Sequence, residues 1–234
     1  MSLREIVGDT ETTGLGVPAG HRLCEVGLVE VIDRRPTGRA FHAYVNPERD
    51  MPPDAFRIHG LSDAFLARMP LFEEIADDML AFIGDAPVVA HNASFEREFL
   101  NAELVIAGRP PIAEDRFVDT VRLSRKRTPG KGIKHTLDAV LTRFKIDASR
   151  RTLHGALLDA QLLAEVYPQL LADPQAEMDL LTDLAEPGAD DLLLTIAART
   201  PRPPRVFGDE EIAAHKALMS SITSPIWDEY RALS

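Results

Sequence analysis

Apolar residues along this chain change their spacing partway through, and that change restricts the folds open to it. Up to residue 45 they fall in strand-like runs: Glu5-Ile6-Val7 leading into Asp9, the Val-, Leu- and Ile-rich Leu23–Ile32, and an alternating run over residues 40–45. Thr13-Gly14 and Pro36-Thr37-Gly38 punctuate these runs as turns. Strands joined by such short turns form an antiparallel meander. From Phe72 the spacing is helical, with apolar residues at 72, 75, 76, 79, 80 and 83. Pro87-Val88-Val89-Ala90 reads as a short buried strand, and Asn92 as the N-cap of a helix over residues 93–107 that ends at Gly108. Phe117-Val118 is a fifth strand, followed by helices over residues 121–126, 136–144 and 156–171. A meander followed by strands alternating with helices predicts an α/β domain built on a mixed sheet.

The 234 residues suffice for one domain of about 150–200 residues plus a tail. Past Leu171, Asp173-Pro174, Glu186-Pro187-Gly188 and Pro201-Arg202-Pro203-Pro204 break the pattern. They predict a flexible tail with a short helical piece over residues 209–221. No apolar run approaches the roughly 20 residues of a membrane span, and the N-terminus lacks a secretory pattern. A cytoplasmic protein with no membrane partner is expected. Cys24, alone and flanked by Leu23 and Val26, reads as a small buried hydrophobe.

A net charge of −11 argues against free-standing tight binding to nucleic acid. The acids concentrate after Pro174. Between Arg122 and Arg151 the bias reverses, with ten basic residues facing Asp138 and Asp147. That stretch is either a solvated helical surface or a phosphate-facing rim.

Two short segments carry chemistry. In Asp9-Thr10-Glu11-Thr12-Thr13-Gly14, residues two apart on a strand point to one side, so Asp9 and Glu11 present adjacent carboxylates. Such a pair repels itself unless a cation intervenes, and hard oxygen ligands suit Mg²⁺ or Mn²⁺. A solvated acidic turn is the plainer alternative. The hydroxyls and free amides of Thr12-Thr13-Gly14 suit phosphate or a terminal sugar. In His154-Gly155-Ala156-Leu157-Leu158-Asp159, Gly155 leaves the histidine on a loop and Asp159 in the first turns of a helix, beside one another. A histidine capping contact explains that spacing as well.

Together with His91-Asn92-Ala93-Ser94-Phe95, these segments resemble the three motifs of the DEDD 3′→5′ exonucleases, histidine subtype. Phe56-Arg57-Ile58-His59-Gly60-Leu61 and Arg150-Arg151-Thr152-Leu153 are similar to the epsilon proofreading subunits of bacterial DNA polymerase III. The resemblance implies an RNase H-like fold, a mixed five-stranded sheet flanked by helices. It also implies hydrolysis with two divalent cations, Mg²⁺ or Mn²⁺, at DNA 3′ ends. Asp9, Glu11 and Asp159 match metal ligands, and His154 matches the general base. Thr10, Thr12, Asp54, His59, Asn92 and Phe95 match the substrate-binding positions. Three positions depart from the family pattern. Glu96 stands where it has aspartate, Asp54 where it has glutamate, and Gly8 where a larger apolar residue is usual.

The tail resembles the same family. Gln175-Ala176-Glu177-Met178-Asp179-Leu180 is similar to the peptide by which replication proteins enter the sliding-clamp groove, with Gln175, Met178 and Leu180 as anchors. Phe207 and Trp227 match segments that dock on the polymerase alpha subunit. Residues 1–172 are thus expected to form the exonuclease domain, and residues 173–234 the tail carrying both docking segments. Two other readings remain at this point. One is an RNA 3′-end exonuclease; the other is a weak or inactive subunit bridging polymerase and clamp, for which Glu96 is the argument.

Overall fold

The computed structural model describes residues 2–151 and 153–171, and beyond them 208–210, 213 and 214. The chain divides into two units, Met1–Met178 and Asp179–Ser234. In the second, Asp209, Glu210, Ala213 and Ala214 are helical and exposed. Gln175, Met178, Leu180, Phe207 and Trp227 lie outside the described residues.

The first unit is a five-stranded sheet in the order β3-β2-β1-β4-β5. β1 (Arg4–Thr12), β2 (Leu23–Ile32) and β3 (Arg35–Tyr44) form the expected antiparallel meander. β4 (Val88–Ala90) and β5 (Phe117–Asp119) join parallel to β1 and to each other. Pro36-Thr37-Gly38, read from sequence as a turn, lies inside β3. The reversal is made two residues earlier by Asp33 and Arg34, at φ 49° and 66°, the left-handed pair that a two-residue hairpin requires. Pro36 is tolerated because β3 is the sheet edge.

Helices cover both faces. α3 (Phe72–Ile83) and α4 (Ala93–Ile106) pack Phe72, Met79, Ile83, Leu100 and Leu104 onto Ile6, Val26, Leu28 and Val88. On the other face α6 (Leu137–Arg143) and α7 (Ala156–Leu171) pack Val140, Leu162, Leu163 and Val166 onto Val7, Val29 and Val89. Successive β1 residues, Ile6 and Val7, thus feed opposite cores. Each such side chain contributes about 1.5–3 kcal/mol when fully buried. α5 (Thr120–Arg127) follows β5, with Asp119 accepting from the Val121 backbone N–H at its start.

The short helices α1 (Pro53–His59) and α2 (Asp63–Leu66) have no counterpart in the sequence reading. Asn92 occupies the N-cap position of α4 at φ 73°, but its side chain makes no capping bond. Its Oδ1 instead accepts from Ser94 Oγ at 3.1 Å. The thiol of Cys24 is fully buried, as expected, and burial raises its pKa.

Two glycines shape the sheet near the Asp9 end of β1. A Cβ on Gly8 would stand 2.7 Å from Leu28 Cδ2, so the cross-strand leucine fills the space the glycine leaves. A Cβ on Gly27, the register partner of Asp9, would stand 2.2 Å from the backbone nitrogen of Leu157. The first turn of α7 therefore rests directly on β2, and only a bare Cα permits it.

Candidate active site

The antiparallel pairing of β1 sets Asp9 opposite Gly27 and Glu11 opposite Glu25. With α7 pressed against Gly27, Asp159 in its first turn comes over the end of β1. Donor atoms of Glu11, His154 and Asp159 lie within 4.8 Å of one another. Asp159 is 2% exposed and Glu11 8%. Asp9 stands outside that trio but feels Glu96, Glu11 and Asp159 electrostatically.

Charge is poorly balanced here. Burial first, then the Glu96, Glu11 and Asp159 carboxylates, raises Asp9 well above the carboxylate range. Glu11 is pushed up to about 8, chiefly by burial and with Glu25 and Asp159 adding to it. Glu96, also buried, is pushed to about 8 by burial, Asp119 and Glu11. Its Oε2 is buried without a hydrogen-bond partner. A helix-end residue serving only the α4 dipole would face water; this carboxylate instead faces the acids. Buried oxygens lacking donors are what a hard divalent cation satisfies. The donor set therefore fits such an ion.

His154 is held from its backbone, whose N–H donates to Ile58 O at 3.1 Å. Its ring is half exposed, with Nδ1 3.3 Å from Asp159 Oδ2, and this contact raises its pKa. Arg151 reaches the same carboxylate: Nε is 2.5 Å from Oδ1 and Nη2 2.6 Å from Oδ2.

Beside the acids lies a cleft of about 470 Å³ lined by residues 10–15 and by His21, Pro52, Asp54, Ala55, Ile58, His59 and Phe95. Of the residues expected to touch substrate, Thr10, Thr12, Asp54, His59 and Phe95 line it and Asn92 does not. Burial lowers the pKa of His59, favouring a neutral ring, and its Nδ1 accepts from the Leu61 N–H at 3.1 Å. Neutral His59 then carries its proton on Nε2, which is buried and directed at the Thr12 backbone. Phe95 packs against Phe99 with centroids 4.8 Å apart. Asp54 is largely exposed and pairs with Arg57.

Sequence reasoning passed over Arg151, Gly27 and the apolar cleft residues Leu15 and Ile58. Leu15 is 90% exposed and Ile58 50%. A glycine inside an otherwise apolar strand is a signal for close backbone approach, and Gly27 carried it. Leu15 had no local signal, while Arg151 and Ile58 lie in segments that carry the family resemblance but were given no role.

Sheet order and site together define a class, the RNase H-like exonucleases. The family model described as Exonuclease matches residues 6–167. Exonuclease X, solved with 5′ overhanging duplex DNA, is 29% identical with a TM-score of 0.56, covering 70% of this chain and 89% of its own. The nuclease domain of 3′hExo, a DEDDh family member bound to rAMP, shares the fold at 15% identity and a TM-score of 0.63, over 72% and 91% of the two chains. Among curated relatives, the DNA polymerase III subunit epsilon of Rickettsia felis is 45% identical over 227 residues, 94% of this chain and 97% of its own. The subunit of the same name from Escherichia coli K12 is 39% identical over 228 residues, 94% and 93%. This chain belongs to the exonuclease family and, within it, to the DNA polymerase III epsilon subunits.

Proposed function

We propose that this chain is the 3′→5′ proofreading exonuclease of a replicative DNA polymerase, removing mispaired nucleotides from DNA 3′ ends as nucleoside monophosphates. The observation that carries the reading is the group of buried, underpartnered carboxylates at the edge of the cleft, with His154 set against Glu11 and Asp159. Asp9, Glu11, Glu96 and Asp159 would hold two divalent cations, Mg²⁺ or Mn²⁺. Bound there, the cations supply charge neutralisation for the attacking and leaving oxygens. The protein does the rest. The cleft seats the terminal nucleotide, with Phe95 and Ile58 offering apolar contact and His59 forming part of its wall. Thr10 and Thr12 lie on its floor, and Asp54 stands at its rim. His154, its pKa raised by Asp159 and its ring half exposed, takes the proton from the water that attacks phosphorus. The 3′ oxygen of the penultimate nucleotide then leaves.

The aim of Glu96 into the acid cluster favours an active enzyme over a purely bridging subunit. Residues 1–172 act as the nuclease and 173–234 as the tether. Gln175, Met178 and Leu180 engage the sliding clamp, and Phe207 and Trp227 the polymerase alpha subunit. Tethering raises the effective DNA concentration, which reconciles the acidic net charge with a DNA substrate. Among the described residues no helix is long and apolar enough to cross a membrane, in keeping with a cytoplasmic place of action.

The test is digestion of a 5′-labelled primer carrying a 3′ mismatch, with Mg²⁺ or with chelator. Stepwise shortening in Mg²⁺ alone is expected; a primer left intact in both would defeat the reading. Replacing Gln175, Met178 and Leu180 by alanine should abolish clamp binding and spare hydrolysis.

A further inference from the structure

Arg151 has no role in the reaction as described, yet it is the cation closest to its centre. Its side chain is 9% exposed and that of Asp159 3%. Its Nη2 donates to Asp159 Oδ2 at 2.6 Å, and its Nε lies 2.5 Å from Oδ1 as an ion pair without hydrogen-bond alignment. The same Nη2 lies 2.8 Å from His154 Nδ1, and Nη1 pairs with Asp138 in the first turn of α6. A charge-assisted arginine–carboxylate hydrogen bond, here joined by a second close approach, is among the stronger polar interactions a protein makes. It also crowds both oxygens that Asp159 would offer to a metal ion, so guanidinium and ion contend for one carboxylate.

We propose that Arg151 is a positioning residue that competes with the divalent cation for Asp159. Without the ion it clasps the α7 carboxylate and the His154 ring together and offsets part of the buried negative charge. As the ion enters, it yields at least one oxygen of Asp159, while the outward pair with Asp138 keeps it at the rim. Arg151 thereby sets how tightly the site binds metal as well as holding its parts in register. This rests on the reading of the acid cluster as a metal centre.

Direct Mn²⁺ binding to the full chain, without DNA, separates the possibilities. By titration calorimetry, Arg151→Gln should bind Mn²⁺ about tenfold more tightly than the parent, since a buried competing charge has gone. Arg151→Lys, which keeps the charge but loses the fork, should fall between the two. Mn²⁺ should also raise the melting temperature of Arg151→Gln by more than it raises that of the parent, because only the parent's metal-free state has the clasp to lose. Circular dichroism verifies the fold. Should Arg151→Gln fail to fold, tighter binding by Arg151→Lys than by the parent carries the same meaning. Equal or weaker Mn²⁺ binding in folded variants would overturn the competition and leave Arg151 a structural clasp. If the parent itself bound no Mn²⁺, the metal reading would fall, and this inference with it.

Discussion

The two ends of β1 treat buried acids in opposite ways. At the Arg4 end, Glu30 accepts from Arg4 Nε at 2.7 Å, Arg39 Nη1 at 3.0 Å and Thr37 Oγ1 at 2.8 Å. Arg4 above all, with help from Thr37 and Arg39, holds its carboxyl below the usual range. At the Asp9 end, four carboxylates share one arginine, and Asp9, Glu11 and Glu96 are all pushed up. The β1–β2 pair thus has an acid fully supplied with donors near one end and a group left short of them at the other. The first kind holds a structure together; the second is kept for a cation taken from solution.

Exchanging the two ends' losses is the strongest way to break this contrast. Asp9→Ala should reduce hydrolysis to background while the chelated protein melts no lower, since one repelling charge has gone. Glu30→Ala should keep hydrolysis but lose about 1–3 kcal/mol of stability, the buried-pair cost discounted for partly exposed Arg4. Activity assays and denaturant melts on both would reverse the assignment if Asp9→Ala stayed active. Next in size is His154→Ala, for which turnover should fall about 10²–10⁴-fold, the worth of a positioned base. A pH–rate profile keeping the parent's shape in that variant would remove His154 from the chemistry.

Glu96 sharpens the contrast from the helix side. Glu96→Gln should lower turnover about 10²-fold through misplaced charge, while Glu96→Asp should saturate at lower Mg²⁺. Initial rates in a metal titration decide it, and identical curves for parent and Glu96→Gln would make Glu96 a helix-end residue. The smallest effect is on stability against pH. Carboxyls raised to about 8 in the folded chain and ordinary when unfolded favour folding while protonated. That contribution is full at acid pH and fades as pH rises through about 8. The melting temperature of the chelated protein should therefore fall by several degrees, roughly 5 °C, between about pH 5 and pH 8.5. Saturating Mg²⁺ should abolish the fall, and a flat chelated profile would mean the acids are not strained.

Much of this was legible in the sequence because it depends on periodicity. β1, β2, α3 and α7 bury continuous stripes, and their spacing shows. Asp9, Glu11, His154 and Asp159 lie in two short segments that announce themselves. What escaped depends on contacts between distant segments. α1 and α2 are too short for a stripe to emerge, and Pro52 and Pro53 read locally as a break. Pro36 and Gly38 look like a turn until the edge position of β3 excuses them. Asn92 has a capping side chain, but its left-handed backbone turns that group away. Arg151 resembled any other base in a basic run until α7 set Asp159 against it.

The bare Cα of Gly27 also imposes an order in time. Asp9 and Glu11 leave the ribosome early, on a hairpin that can pair as soon as β2 emerges. Asp159 is made near the end of the folded unit, and it reaches them only when the first turn of α7 settles onto that one vacancy in β2. A half-synthesised chain therefore carries acids with no partner across the gap. The acid group is complete only once α7, the last helix of the first unit, rests on β2.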